Sequence, residues 1–143
     1  GGRLGFGSDS NIRISLSEEL RGLEYSQRLR DRGRAILAEP GRSTGRVLYE
    51  SGLDGGASAA GRETGAIAPG LWGDLLAVGT DNPVMVGRRG DQALDSLVFA
   101  GGDGLAREVW AAGRHVVTGG RHIARDRIAA DYMACIRRLQ DRL

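Results

Sequence analysis

The chain holds one cysteine, Cys135, so no internal disulfide can form, and a reducing, cytoplasmic setting is expected. It lacks any apolar run near the roughly 20 residues that cross a bilayer, which argues against a membrane partner. Its opening residues do not read as a secretory signal peptide, so none is expected. Aromatic residues make up only 5%, so a core must rest on Leu, Ile, Val and Ala. Charge of one sign is also scarce: the net value is +2, and the densest basic run, Arg28 to Arg34, is broken by Asp31. A nucleic-acid binder concentrates basic charge on one face, so a nucleic-acid partner is not expected and the run reads as a solvated helix face. There are two histidines, His115 and His122, at a spacing that suits neither a helical pair nor an H-x-H. No cysteine neighbours them, so neither is expected to bind metal.

What the chain has in excess is glycine, 24 of 143 residues, against about 7% in average usage. The glycines follow no fixed period, which excludes a collagen-like repeat and predicts many tight turns between short elements.

Leu4 to Gly7 reads as a short apolar strand that gives way to Ser8-Asp9-Ser10-Asn11, four turn and cap formers. Ser17 is placed as the cap of a helix with Glu18 and Glu19 in its first turn. Leu16, Leu20 and Leu23 recur at helical spacing, and the pattern extends to Leu37 before Pro40-Gly41 stops it. Ser43-Thr44 opens a second helix expected to end at Gly52, and Gly55 to Gly61 a further short one. After Arg62 the texture changes to short strands: Ala66 to Gly70, Asp74 to Val78, and a hairpin of Arg107–Ala112 and His115–Thr118 around Gly113-Arg114. His115 falls on the hairpin and His122 in the loop beyond it. Between them and the strands, Asp91 to Ala100 reads as a short helix. A last amphipathic helix carries Ile128, Tyr132, Ile136, Leu139 and Leu143 as a stripe, with Cys135 at its edge as a packed thiol.

The fold class is therefore mixed α/β: strand, helices, a block of short strands, a closing helix. Asp9 is the candidate for chemistry. A carboxylate at the C-terminal end of a strand sits where (β/α) barrels place catalytic groups, and there it can bind a metal or move a proton. The same Asp can equally be a turn former, and the tetrapeptide alone favours that role. Gly101-Gly102-Asp103-Gly104 lacks the Lys-Ser/Thr of a phosphate-cradling loop.

Three segments resemble the amidohydrolase superfamily. Leu4-Gly-Phe-Gly-Ser-Asp9-Ser is similar to its eighth barrel strand. Gly65-Ala-Ile-Ala-Pro-Gly70-Leu-Trp-Gly-Asp74-Leu-Leu is similar to its G-x-I-x-x-G-x-x-A-D-L signature, with Gly73 in place of Ala. Val109 to Val117, followed by Gly119-Gly120-Arg121, resembles its closing strands. The helix Glu18-Glu-Leu-Arg-Gly-Leu-Glu24-Tyr-Ser-Gln-Arg-Leu29, with Val98-Phe99-Ala100 and Gly120-Arg121-His122, is similar to the superfamily's formiminoglutamate deiminases.

The resemblance implies the last strand and following helices of a (β/α)8 metal-dependent hydrolase barrel over 1–61. It implies part of a small β-sandwich-like domain over 62–122 and a closing helix over 123–143. It implies zinc as cofactor, Asp9 as metal ligand and proton shuttle, and a small-molecule substrate. The implied reaction is hydrolysis of N-formimino-L-glutamate to N-formyl-L-glutamate and ammonia in histidine breakdown. Other deaminases or chlorohydrolases of the superfamily, acting on purines, pyrimidines or triazines, are the alternative, and a non-catalytic association module is another. The family's paired histidines, catalytic acid and substrate-binding arginines have no counterpart here. Together with an opening Gly1-Gly2-Arg3 and no initiator Met, this gives the expectation of a piece cut from a longer protein, inactive alone. Its uncovered faces predict a homo-oligomer, formed by exchange of the N-terminal strand and helix.

Overall fold

A computed structural model describes residues 2–142. Helix α1 spans Leu16–Asp31 and α2 Thr44–Ala60. Strand β1 is Leu75–Val78. Helix α3, Asp91–Ser96, runs on through a π turn, Leu97–Gly101, and a 3-10 turn, Gly102–Leu105. Strands β2 (Ala106–Ala111), β3 (Arg114–Thr118) and β4 (Arg121–His122) follow, then helix α4, Arg125–Gln140. The mixed α/β expectation holds. Gly1 and Leu143, the ends of the predicted N-terminal run and of the last helix's stripe, lie outside the described residues.

Several expectations are corrected. The cap of α1 is Ser15, not Ser17: Ser15 is extended and its hydroxyl accepts the Glu18 N–H at 3.3 Å. Ser17 instead sits buried in the first turn and donates to Asp103 across 3.0 Å. The helix stops at Asp31 because Arg32 takes a left-handed conformation, so Leu37 lies beyond it. Helix α2 does not end at Gly52. A glycine inside a helix costs about 1 kcal/mol, which weakens a helix without breaking it, and here the bare backbone has a use. The Leu4 carbonyl crosses α2 at Gly55, where a Cβ would lie 1.9 Å from the Leu4 oxygen, and the Phe6 ring lies over Gly52. The predicted strand at Leu4–Gly7 thus forms no ladder among the described residues; it rests on a helix. A strand is stable only beside a hydrogen-bonding neighbour, and among the described residues none is adjacent.

The core lies where α1, α2 and the π turn meet. Leu20, Leu48 and Val98 are buried there, with Phe6, Leu23, Leu37, Tyr49 and Phe99 packed around them. Polar groups fix the same junction: the Ser43 and Gly45 N–H groups at the start of α2 donate to Asp91 (2.8 Å) and Asp95 (2.7 Å) of α3.

The sheet is antiparallel throughout in the order β1-β2-β3-β4. Ala66–Gly70 is a series of turns rather than a strand, with Gly65 and Gly70 both at positive φ. The hairpin turns at Ala112-Gly113, one residue earlier than predicted. Both have positive φ (51° and 75°), the pair required by the tight turn that matches strand twist. Asp74 secures it by accepting the Ala112 N–H at 2.7 Å and the Thr64 hydroxyl at 2.8 Å. The Asp of the signature therefore pins a hairpin to the strand beside it.

Helix α4 departs most from expectation. None of its described residues is buried, Ile136 alone of the stripe is half-covered, and Cys135 is exposed rather than packed.

Candidate functional site

Asp9 lies in a turn closed by the Asn11 N–H donating to the Ser8 carbonyl at 2.8 Å. Its φ of 45° is left-handed, a conformation in which Asp is tolerated because its short side chain can bond locally. The carboxylate is exposed, and no hydrogen bond to it is found among the described residues. The nearby acids in sequence are engaged elsewhere. Glu18 pairs with Arg13 at 2.5 Å, and Glu19 accepts from Asn11 at 3.1 Å.

The histidines are on the sheet. His115 stacks on Trp110 with ring centroids 4.5 Å apart, and its Nε2 lies 2.6 Å from Glu108. Glu108 also accepts the Gly119 N–H at 2.8 Å. That N–H first, and His115 beside it, hold Glu108 below the usual carboxylate range. His122 belongs to β4 rather than to a loop, and its Nδ1 accepts the Ala124 N–H at 3.1 Å. Each histidine is thus committed to local structure.

Zinc needs three or four ligands on one centre. Among the described residues no three His, Cys, Asp or Glu side chains come together to hold one. Asp9 is one carboxylate without companions, so the residues described do not fit the metal by themselves.

A charged group that the sequence reading passed over is Glu24, which is fully buried. It accepts from Arg28 Nε at 2.6 Å and from the Ile36 and Leu37 N–H groups at 3.1 and 3.0 Å. Arg28 in turn lies over the rings of Tyr25 and Phe99, at 5.2 and 5.5 Å. The carboxylate thereby ties the segment after α1 back onto the helix. The signal was present: Glu24 falls four residues after Leu20, on the apolar face, with Arg28 four further on.

No family model matches the chain. Its fold is nonetheless that of a stretch of amidohydrolases. It superposes on an amidohydrolase from Brucella melitensis with TM-score 0.88 and 37% identity, covering 98% of this chain and 31% of that one. An atrazine chlorohydrolase from Arthrobacter aurescens, solved with zinc, matches with TM-score 0.73 and 26% identity over 92% of this chain and 29% of that one. An adenosine deaminase from Xanthomonas campestris with bound zinc shares the fold at TM-score 0.74 and 23% identity, covering 95% of this chain and 29% of that one.

In sequence, the particular relative is formimidoylglutamate deiminase of Pseudomonas aeruginosa. The chain is 45% identical to it over 142 residues, which are 99% of this chain and 31% of that protein. The chain thus resembles that deiminase along its own length while spanning less than a third of it.

Proposed function

We propose that this chain is the part of a C–N-bond hydrolase that supplies Asp9, and that the whole enzyme deiminates N-formimino-L-glutamate. The observation that carries the reading is the 45% identity to a formimidoylglutamate deiminase along nearly the full chain. Residues 1–61 then correspond to the end of a barrel, 62–122 to part of the small β-domain, and 123–143 to a closing helix. The exposed Asp9 carboxylate is free to take a proton from the attacking water as oxygen bonds to the formimino carbon. That proton passes to the imino nitrogen, and as the C–N bond breaks the remaining hydroxyl proton follows it to complete ammonia while the formyl C=O forms. The zinc found in solved relatives would need ligands beyond this chain's own, so no step is assigned to it here. The 143-residue chain alone is inactive in this reading.

The test replaces the matching 142 residues of the Pseudomonas aeruginosa enzyme with this chain. The hybrid is expected to release ammonia from N-formimino-L-glutamate, and Asp9→Asn in it to lower turnover by about 10²–10⁴ with its circular dichroism unchanged. A folded hybrid that prefers guanine or a chlorotriazine would overturn the substrate. A fully active Asp9→Asn hybrid would overturn the residue.

A further inference from the structure

The Leu4–Phe6 segment lies flush on one face of α2. At roughly 100° per residue, Gly52, Gly55 and Ala59 fall within about 60° of arc. A Cβ added at the buried Gly55 would lie 1.9 Å from the Leu4 oxygen, and one at Gly52 would lie 3.3 Å from the Phe6 ring. One added at Gly5 would meet the Ala59 methyl at 3.7 Å. Arg3 reaches over the flank of the same helix, donating to the Ser58 hydroxyl at 3.0 Å and pairing with Asp54 at 3.5 Å. Nothing larger than a methyl stands on this face of α2, so the helix backbone itself sets the height of the segment. Asp9 follows soon after Phe6. The turn that carries it is closed by the Asn11 N–H on the Ser8 carbonyl, and the Asn11 side chain donates to Glu19 of α1 at 3.1 Å. Asp9 thus stands on a short span with α2 behind one end and α1 behind the other.

We infer that Gly55 is a positioning residue for Asp9: its missing side chain lets Leu4–Phe6 seat on α2 at the height that sets where the Asp9 carboxylate stands. This role rests on the reading that Asp9 moves a proton in the whole enzyme. With alanine at position 55, a carbon and an oxygen 1.9 Å apart must separate by about 1 Å, and a misplacement of about 1 Å lowers a rate by about 10²-fold. Gly56, the next residue, has nothing within 4 Å of an added Cβ. Alanine there changes helix propensity and leaves the seat alone.

The experiment uses the hybrid enzyme described above, assayed with N-formimino-L-glutamate well below its Tm. Gly55→Ala is expected to lower kcat by about 10²-fold with circular dichroism unchanged. KM should change little, because in this reading Asp9 moves a proton and holds no substrate. Gly52→Ala, to which the Phe6 ring can yield, should lose less, and Gly56→Ala nothing. A residue that acts through Asp9 is not additive with it, so Gly55→Ala should cost nothing further in the Asp9→Asn hybrid, whereas a loss of folding would multiply. If Gly55→Ala fails to fold, Gly52→Ala carries the same comparison. Hydrogen exchange by mass spectrometry reads the seat apart from activity: the Ser8–Asn11 segment should exchange faster in Gly55→Ala and not in Gly56→Ala. A folded Gly55→Ala hybrid with unchanged kcat, or one whose loss persists in full beside Asp9→Asn, overturns the role of Gly55 and leaves the deiminase reading standing. A folded but inactive unaltered hybrid removes the deiminase reading instead. The exchange comparison then decides the seat, and unchanged exchange over Ser8–Asn11 overturns it.

Discussion

Replacing Glu24 with alanine isolates a junction that no single apolar contact controls. The side chain is wholly buried and makes three hydrogen bonds, to Arg28 and to the N–H groups of Ile36 and Leu37. A hydrogen bond to a charged group contributes about 1.5–3 kcal/mol, and truncating one partner of a buried pair costs about 3–5 kcal/mol. The low end applies here because the Arg28 side chain is 31% exposed and can take water in place of the carboxylate. The expected loss is thus about 3 kcal/mol, a substantial part of the roughly 5–15 kcal/mol that holds a domain folded. For a chain of this length each kcal/mol shifts Tm by about 3–5 °C, so Tm should fall by roughly 10 °C. Glu24→Gln retains one acceptor but turns an N–H toward the Ile36–Leu37 backbone donors, so it should lie between the two. Urea unfolding followed by circular dichroism gives the global figure. Amide hydrogen exchange at Ile36 and Leu37 gives the local one, and both amides should exchange faster in the alanine variant. An alanine variant within about 0.5 kcal/mol of the unaltered chain, the scatter of neutral surface changes, would refute the reasoning, as would unchanged exchange at those amides.

Two adjacent glycines of α2 should respond oppositely to alanine. Gly56 has nothing within 4 Å of an added Cβ, so Gly56→Ala should gain about 0.5–1 kcal/mol from helix propensity. Gly55→Ala drives a methyl into the Leu4 carbonyl and should lose about 1–3 kcal/mol or release the N-terminal segment, which faster cleavage at Arg3 by trypsin would reveal. Acid should weaken the sheet. Asp74 is held below the ordinary carboxylate range first by the Ala112 N–H and then by the Thr64 hydroxyl, and Glu108 first by the Gly119 N–H. A carboxylate whose folded pKa lies below its unfolded one contributes stability above the unfolded value and loses it as pH falls through the folded one. Thermal scans should therefore show Tm dropping below about pH 4, and the drop should be shallower in Asp74→Asn. Parallel curves for the two proteins would remove Asp74 from that account.

The sequence by itself determined the main helices, the hairpin and their order along the chain. Periodicity marked α1 and α4, the cap formers Ser43-Thr44 marked the start of α2, turn chemistry marked the hairpin, and the Gly65-to-Leu76 motif pointed to the superfamily that the solved relatives share. These signals are local, set by residues within one or two turns of each other. Whatever depended on a distant neighbour was decided only in the tertiary structure. Leu4–Gly7 reads as a strand by composition, yet a strand needs an edge to pair with, and here the segment lies across the glycines of α2. The capping hydroxyl is that of Ser15 because Ser17 is drawn to Asp103, 86 positions along the chain. Glu24 sits on the apolar face of α1 in the sequence, but its partners appear only when the segment around Ile36 folds back and delivers two N–H groups to it. Asp9 stands apart from all of these: its own tetrapeptide favoured a turn former and the resemblance supplied the chemical role, while a metal centre is made by convergence, and among the described residues no group of three ligand side chains forms.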